Sequence, residues 1–449
     1  MASFTDLQVR FPEATLQPSD RRTFLRTAAG ATALTVTSHL SSFGRATRLR
    51  LDAAVAPGRM HDRLQPDWYQ RKVGQVQKEM AKHKLDGLVL LHAPNVIYTT
   101  GYFHISTERP LAAFIPATGA PALFVPGLEE DQVKLWWVKD YESYFDYPGP
   151  VNRVRWIFER VANRGLANKR IGVEEAGPSR MQQIKLGAPK AEIVPIADDL
   201  IMQMRWIKDD DEINIMRRGM YFSDFSVKVG RDFVQSHGTV SENEILKAAA
   251  DALADKMASE LNEVVGVGID PPFGGLVPFG KRSAFPHAIP STDRLKKGDA
   301  LILSYGAQVG GYACECERSF IIGKPNEYAK RLFDAMLAAH DAGVENLKEG
   351  AIAEEVDKKS LDQIRKAGFE KFLKHRTGHG IGLDGHESPW IAEGDKTALK
   401  QGMTFSCEPG VYDPDWGGFR HSDTVVVRKE KGEVLNSYPT RLEEMVIEI

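Results

Sequence analysis

Along the first half of the chain, the spacing of apolar residues alternates between that of helices and that of strands. Residues 67–84 place apolar side chains at helical spacing, which predicts an amphipathic helix, and residues 87–91 predict a buried strand. Residues 93–102 follow as a predicted loop and turn. Further strands are predicted at 111–115, 122–125, 170–173 and 193–195. Strands that alternate with helices in this way indicate an α/β region.

The pattern changes near residues 204–209. A long helix is predicted at 210–233, and a second at 241–257 that opens with Ser-Glu-Asn-Glu, a capping box. Strand-like segments follow at 262–268, 300–305, 312–321 and 403–408, with helices at 326–347 and 353–367. Runs of antiparallel strands with helices beside them favour an α+β architecture over a Rossmann sheet. We therefore expect a smaller α/β domain at 61–204 and an α+β domain at 205–449.

The N-terminus, residues 1–60, has a different character. Arg21 and Arg22 precede Phe-Leu and a weakly apolar run at 27–40, as in a twin-arginine export signal. The run is too short and too polar to span a bilayer stably. The sequence therefore predicts an exported, periplasmic protein. The alternative is a cytoplasmic protein whose tail carries two adjacent arginines by chance.

Composition excludes some partners. The 449 residues carry a net charge of −3, so no global basic field draws the chain to nucleic acid or to anionic lipid. The three cysteines, Cys314, Cys316 and Cys407, lack the spacing of a structural zinc site and are interpreted as small strand residues. We expect a small-molecule substrate, with no nucleic acid and no membrane as partner.

Two glutamates on one strand are the first candidate for chemistry. In the strand at 312–321, Glu315 and Glu317 share one face because side chains alternate with period two. Two carboxylates in a buried strand are costly unless a cation or hydrogen-bond donors face them. The alternative is an edge strand that leaves both glutamates in water.

Histidines in glycine-rich and loop segments are the second candidate. His379 lies among three glycines, which let the backbone approach a ligand closely, and His375, His386 and Glu387 are near it in the sequence. A lone histidine would more often be structural, but this clustering favours a site. Glu408 follows an apolar strand directly before Pro-Gly and would lie on a cavity rim.

Three segments resemble a known family. They read GDALILSYGAQVGGYACECERSF at 298–320, HRTGHGIGLDGHESP at 375–389, and GMTFSCEPGVY followed by GFRHSD at 402–423. Together they resemble the creatinase, prolidase and aminopeptidase P family, with its pita-bread C-terminal catalytic domain and its smaller N-terminal domain. The resemblance implies homodimers in which the N-terminal domain leans over the partner's site.

The metal ligands of this family are only partly present. The metallopeptidase members hold two divalent ions with Asp, Asp, His, Glu and Glu, and these positions read Ser304, Glu315, His379, Glu408 and Ser422. Serine hydroxyls are poor ligands for hard divalent ions compared with carboxylates. An ordinary two-metal peptidase is therefore disfavoured. If one ion binds, its ligands would be Glu315, His379 and Glu408, and the ion Mn, Zn, Co or Fe.

The resemblance to creatinase, which works without metal, implies a different set of roles. His287 would be the catalytic acid and base, His379 its neighbour, and Glu317 and Glu408 would bind the substrate within the catalytic set. Arg109 would reach the partner subunit's site and hold a carboxylate. Further substrate contacts are expected from Glu315, His386 and Arg420. The chain departs from creatinase at Glu315 and at Trp390, which falls at the position of a carboxylate-binding arginine.

Three hypotheses follow from the sequence. The leading one is a metal-independent, creatinase-like hydrolase of a C–N bond in a small amino-acid-like or amide substrate, with no cofactor. The alternative is a single-metal hydrolase of the same fold, similar to an Xaa-Pro peptidase. The third is a non-catalytic pita-bread module that binds a peptide or a protein. The survival of His287, Glu317, His379 and Glu408 together argues against the third.

Overall fold

The structure is a computed structural model that describes residues 62–145, 152–174, 176–196, 200–263 and 273–449. The predicted export signal at Arg21 and Arg22 lies outside these residues, as does most of the strand predicted at 262–268, and export stays a prediction. Within the described ranges, no helix is both long enough and apolar enough to cross a bilayer.

The N-terminal sheet combines parallel and antiparallel pairing. Its strands are β1 (Gly87–Leu90), β2 (Ala112–Pro116), β3 (Ala122–Pro126), β4 (Asp140–Tyr144), β5 (Arg170–Val173) and β6 (Glu192–Pro195). They lie in the order β4-β3-β2-β1-β5-β6, and β1 pairs antiparallel with β2 and parallel with β5. All four residues of β1 are buried, as its continuous apolar run predicts.

Helices cover both faces of this sheet. They are α1 (Pro66–Lys82), α2 (Ala93–Thr100), α3 (Glu130–Val133), α4 (Arg153–Val161), α5 (Pro178–Gly187) and α6 (Ile201–Trp206). Leu88 and Leu90 share one core with residues of α1 and α2, whereas Val89 packs in a second core with residues of α4 and α5. Period-two alternation along β1 therefore sends its side chains into two separate cores.

The loop and turn predicted at 93–102 is wrong, because residues Ala93–Thr100 form α2. A proline in the first turn is compatible with a helix, and Gly101 ends it in the left-handed conformation, with φ of 64°. A residue far away in the sequence caps the start of α2. The carboxylate of Glu174 accepts hydrogen bonds from the backbone N–H of Leu91 and of His92. It also accepts one from the side chain of Asn95. The cap lies about 80 residues away in the chain, so no local pattern shows it.

The C-terminal sheet contains the long hairpin that carries the candidate glutamates. Its strands are β7 (Phe273–Leu276), β8 (Ala300–Val309), β9 (Tyr312–Ile322), β10 (Gly378–Gly380), β11 (Glu387–Ile391), β12 (Thr404–Cys407), β15 (Ser422–Val427), β16 (Gly432–Val434) and β17 (Val446–Ile447). The main order is β11-β10-β12-β15-β9-β8-β7. β13 (Gly410–Asp413) and β14 (Gly417–Arg420) form a separate hairpin. β9 is therefore an interior strand, which excludes the edge-strand alternative.

Long helices pack on this sheet. They are α7 (Asp210–His237), α8 (Glu242–Glu260), α9 (Glu327–Asn346) and α10 (Ala353–Lys366). α7 packs along β8 and β9, α9 against β12 to β14 and β16, and α10 against β11. The predicted capping box is confirmed, because Ser241 and Glu244 exchange side-chain and backbone hydrogen bonds at the start of α8. The predicted combination of an α/β region and an α+β region is confirmed. The division at 204/205 stays a prediction.

Candidate active site

Three neighbouring strands bring one glutamate and two serines into a row. Glu317 of β9 lies opposite Ser304 of β8 on one side and opposite Ser422 of β15 on the other. The Ser304 hydroxyl donates a hydrogen bond of 2.5 Å to Glu317 Oε1. Glu317 is 3% exposed. At the centre of this row, the chain therefore carries a buried carboxylate between two uncharged hydroxyls.

Arg420, the last residue of β14, neutralises that carboxylate. Its Nη2 donates to Glu317 Oε1 at 2.6 Å and its Nε also contacts Glu317, so the pair is bidentate. Its Nη1 lies 3.8 Å from Glu408 Oε2. Burial raises the pKa of Glu317 to about 7, with the charges of Glu408 and Glu315 adding to the rise and Arg420 opposing it. A guanidinium is thus built into the carboxylate cluster.

Glu315 lies two residues before Glu317 on the same face. Its Oε1 accepts hydrogen bonds from the hydroxyls of Ser406 and, at 3.0 Å, Ser422. Ser406 and Ser422 are themselves 2.8 Å apart through their hydroxyls. Ser422 therefore acts as a hydrogen-bond donor to Glu315.

His379 completes a set of three candidate metal ligands. Its Nε2 lies 3.3 Å from Glu408 Oε1 and 3.9 Å from Glu315 Oε1, and one ligand atom from each residue falls within 4.8 Å of the others. Its Nδ1 lies 3.0 Å from the carbonyl oxygen of Gly380, so Nδ1–H donates there and the Nε2 lone pair faces the carboxylates. Within the described residues, this fully buried Nε2 has no hydrogen-bond partner of good geometry. The set fits one divalent cation.

The charges around His379 also favour the binding of a cation. Burial would lower the pKa of His379, but Glu408 and Glu315 outweigh it and raise that pKa. Burial would raise the pKa of Glu408, but the contact with His379 and the charge of Arg420 lower it to about 2. The three residues thus form a negatively charged pocket that attracts a positive charge.

Glu315 and Glu408 line a cleft of about 600 Å³. Its lining combines the acidic cluster with imidazoles, cations and apolar residues: Leu276, Phe285, Pro286, His287, Ser304, Glu315, Glu317, Lys374, His375, Arg376, His386, Glu408 and Arg420. The ring of His386 stacks on that of His379 with centroids 3.9 Å apart. Burial and the charge of His379 lower the pKa of His386.

The structure brings most of the predicted site residues together. His287, Glu315, Glu317, His386, Glu408 and Arg420 line the cleft, and His379 contacts two of them, Glu315 and Glu408. Arg109 is an exception within one chain: its guanidinium contacts Glu108 at 2.8 Å, and it does not line the described cleft. Its predicted contact with a partner's site stays a prediction.

Other residues take roles that sequence reasoning did not give them. Glu387, which the sequence groups with the histidines, pairs instead with Arg205 at 2.6 Å and with Lys208. Ser406 contacts Glu315, and Arg376 and Lys374 line the cleft. Arg376 is part of the quoted His-Arg-Thr-Gly-His segment, so its proximity to His379 is a signal that could have been used.

The fold and the site together are typical of a hydrolase whose cleft has three candidate metal ligands, Glu315, His379 and Glu408. Residues 214–429 match the model of metallopeptidase family M24, and residues 72–207 match the creatinase/prolidase N-terminal domain. The chain is 31% identical over 367 residues to an Xaa-Pro dipeptidase of Pyrococcus horikoshii, covering 81% of this chain and 96% of that protein. This chain belongs to metallopeptidase family M24.

Solved structures agree with this assignment. The prolidase of Thermococcus sibiricus superposes with a TM-score of 0.73 at 28% identity, covering 85% of this chain and 99% of that one. Dipeptidase PepE of Mycobacterium ulcerans gives 0.73 at 26% identity, covering 86% and 100%. The predicted family, the pita-bread fold and the class of hydrolases that act on C–N bonds are confirmed.

Proposed function

We propose that the chain is a peptidase that hydrolyses the C–N bond of Xaa-Pro dipeptides with a single divalent ion. The observation that carries this proposal is the buried Nε2 of His379, which lies 3.3 Å from Glu408 Oε1 and 3.9 Å from Glu315 Oε1, with one ligand atom of each residue within 4.8 Å of the others. The relatives named Xaa-Pro dipeptidase and prolidase support the substrate class. This was the alternative hypothesis from the sequence.

One ion fits this site better than two. Ser304 and Ser422 contribute hydroxyls in place of carboxylates and hydrogen-bond to Glu317 and Glu315. The third carboxylate of the cleft, Glu317, already has a cation in Arg420. What remains for a divalent ion is Glu315, His379 and Glu408, two oxygen ligands and one nitrogen ligand.

The residues around the cleft have separate proposed roles in catalysis. A divalent ion at the three ligands would supply Lewis-acid polarisation of the scissile carbonyl. Lys374 and Arg376 line the cleft and provide positive charge for the carboxylate of a dipeptide. His287 lines the same cleft, and imidazole is the side chain best suited to give the leaving nitrogen its proton near neutral pH.

The metal-independent, creatinase-like hydrolase is the second candidate. The observation that favours it is the Glu317–Arg420 pair with its neighbouring serines, which satisfies part of the cluster without a metal. The named dipeptidase and prolidase relatives support it less well than they support the single-ion peptidase. We therefore place it second.

Activity assays on the purified full chain separate the two candidates. We expect hydrolysis of Xaa-Pro dipeptides, loss of activity on chelation, and recovery with one of Mn, Zn, Co or Fe. Creatine serves as the control substrate and should not be turned over. Full turnover of either substrate class by metal-free protein would overturn the single-ion proposal. No turnover of any C–N substrate would favour the non-catalytic binding module.

We also propose that two copies associate, with Arg109 of one chain reaching the cleft of the other. The family resemblance supports this, and Arg109 is absent from the cleft of its own chain among the described residues. Sedimentation should give a dimer, and Arg109→Ala should raise KM without dissociating it. A monomer with full activity would exclude the arrangement.

A further inference from the structure

The loop that carries His287 is held near its ends and not at its tip. It comprises residues 279–291, in the connection from β7 to β8, and we call it the His287 loop. Phe285 and Ile289, on either side of His287, are 50% and 82% exposed. Within the described residues, no hydrogen bond holds the imidazole of His287. The position of this imidazole in the cleft therefore depends on how the loop itself is fixed.

Glu242, the first residue of α8, joins the two ends of the His287 loop. Its side chain is fully buried. Its Oε2 accepts a hydrogen bond of 2.5 Å from the backbone N–H of Ser291, the last residue of the loop. Its Oε1 accepts one of 3.4 Å from the backbone N–H of Phe279, the first residue. A single carboxylate therefore holds both ends of the loop against α8.

Arg282 extends this contact to both sides of His287. Its Nε lies 3.0 Å from Glu242 Oε1 and 3.3 Å from Oε2, so it donates to the same carboxylate. Its Nη2 donates to the carbonyl oxygen of Ile289, and its own carbonyl oxygen accepts a hydrogen bond of 2.9 Å from the N–H of Phe285. These two partners lie two residues after and two residues before His287. The Glu242–Arg282 pair thus fixes the segment that carries the imidazole.

A second set of contacts attaches the loop to the active site. Lys374, which lines the cleft, donates from Nζ to the carbonyl oxygen of Ala284 at 2.6 Å. The backbone N–H of Gly418 in β14 donates to the hydroxyl of Ser283 at 2.8 Å. These contacts do not involve Glu242. A change at Glu242 therefore loosens the attachment to α8 and leaves the attachment to the site in place.

We propose that Glu242 is a positioning residue that fixes the distance between His287 and the leaving nitrogen of the substrate. The inference rests on the proposed function, in which His287 gives that nitrogen its proton. A proton donor must lie within hydrogen-bond distance of the reacting atom, and a misplacement of about 1 Å can cost about 100-fold in rate. None of the described hydrogen-bond partners of Glu242 lines the cleft, so its effect passes through the loop.

Hydrolysis of Leu-Pro by the purified full chain tests this role. Glu242→Gln places an amide nitrogen among N–H donors, and kcat should fall about tenfold or more while KM changes by less than about threefold. In a chain that already carries His287→Ala, the same substitution should have little further effect, because no imidazole remains to be positioned. The matched control is Glu244→Gln, at a partly exposed carboxylate in the same turn of α8 that pairs with Arg294, and it should leave kcat unchanged.

Two further readouts separate positioning from a general folding defect. Backbone amides of residues 279–291 should exchange hydrogen faster in Glu242→Gln than in the native chain, whereas the ion content should not change. If Glu242→Gln does not fold, Arg282→Gln takes its place, because this side chain is 31% exposed, and it should show the same selective loss of kcat.

The outcomes distinguish this inference from the proposed function. A folded variant with native kcat, or a loss of kcat that is equally large with and without His287, would overturn the positioning role alone. No hydrolysis of any Xaa-Pro dipeptide by the native chain would overturn the proposed function and this inference with it.

Discussion

Arg420 is the residue that most distinguishes this site from a two-ion site. Its guanidinium makes bidentate contact with Glu317 and lies near Glu408, so one fixed positive charge is already part of the cluster. Ser304 and Ser422 are uncharged and donate hydrogen bonds to Glu317 and Glu315. The negative charge of the cluster is therefore neutralised with fewer divalent ions than in a two-ion site.

The Glu317–Arg420 pair is predicted to be interdependent. Arg420→Met leaves Glu317 buried without its cation and should lower the free energy of unfolding by about 3–5 kcal/mol. The double variant Arg420→Met with Glu317→Met removes both charges and should recover most of that loss. Urea unfolding of both variants measures the difference. Equal destabilisation of the single and the double variant would show that the pair is not coupled.

Arg376 is predicted to bind the carboxylate of the substrate. Its Nε donates to the carbonyl oxygen of Gly378 at 2.9 Å, and its guanidinium lies 4.6 Å from the ring of Trp390. No described carboxylate forms an ion pair with it. The group is thus held in place with its terminal nitrogens available to a ligand.

The test compares acids with amides. Arg376→Gln should raise KM for Leu-Pro about tenfold or more, equivalent to loss of one charge-assisted hydrogen bond, and leave KM for Leu-Pro amide nearly unchanged. Arg441→Gln, at an exposed arginine paired with Asp341, is the matched control. If Arg376→Gln raises KM for acid and amide alike, the carboxylate contact is wrong.

At the residue scale, period-two alternation was enough to place Glu315 and Glu317 on one face, because both belong to the same strand. Their partners could not be predicted in the same way. Ser304, Ser422 and Arg420 come from other strands, and the register between strands is set by long-range pairing and turns.

Among the elements, the long amphipathic helices and buried strands followed from local pattern, whereas α2 did not. The cap of α2 is Glu174, which follows β5, and its amide donors come from the chain after β1. Parallel pairing of β1 and β5 brings these segments together. A helix of eight residues shows in its own sequence only the proline of its first turn and the glycine that ends it, and these two residues are equally typical of a loop.

A buried ion network joins α2, α6 and β11. Arg205 of α6 donates to Asn95 of α2 at 2.8 Å and to Glu387 of β11 at 2.6 Å, and Lys208 also pairs with Glu387. Burial would raise the pKa of Glu387, but the charges of Lys208 and Arg205 outweigh it and lower that pKa. His386, which stacks on His379, is the next residue along the chain.

The network gives a pH-dependent prediction for Glu387→Gln. A carboxyl whose pKa is lower in the folded state stabilises the protein above its unfolded pKa, about 4.3, and loses that contribution as pH falls through the folded value. At pH 7 the variant should therefore lose about 3–5 kcal/mol of unfolding free energy, because Lys208 stays buried without its ion-pair partner and Arg205 keeps only Asp384, at 2.7 Å. The difference from the native chain should shrink below about pH 4. A difference that is constant from pH 7 to pH 3 would exclude this role.

For the whole molecule, the fold could be predicted from the resemblance, and the number of metal ions could not. The sequence showed the loss of two carboxylates and favoured a metal-free hydrolase. It could not show that His379 Nε2 is buried and faces Glu315 and Glu408, because that depends on how β9, β10 and the segment after β12 meet. Because of this geometry, we favour the single-ion peptidase over the metal-free hydrolase.

The most direct measurement is the metal content of freshly purified protein, determined by elemental analysis before any substrate is added. We predict one divalent transition-metal ion per chain. The variant His379→Gln should retain the fold, as judged by circular dichroism, and lose the ion. Two ions per chain, or a metal-free protein with full activity on Xaa-Pro dipeptides, would contradict the single-ion proposal.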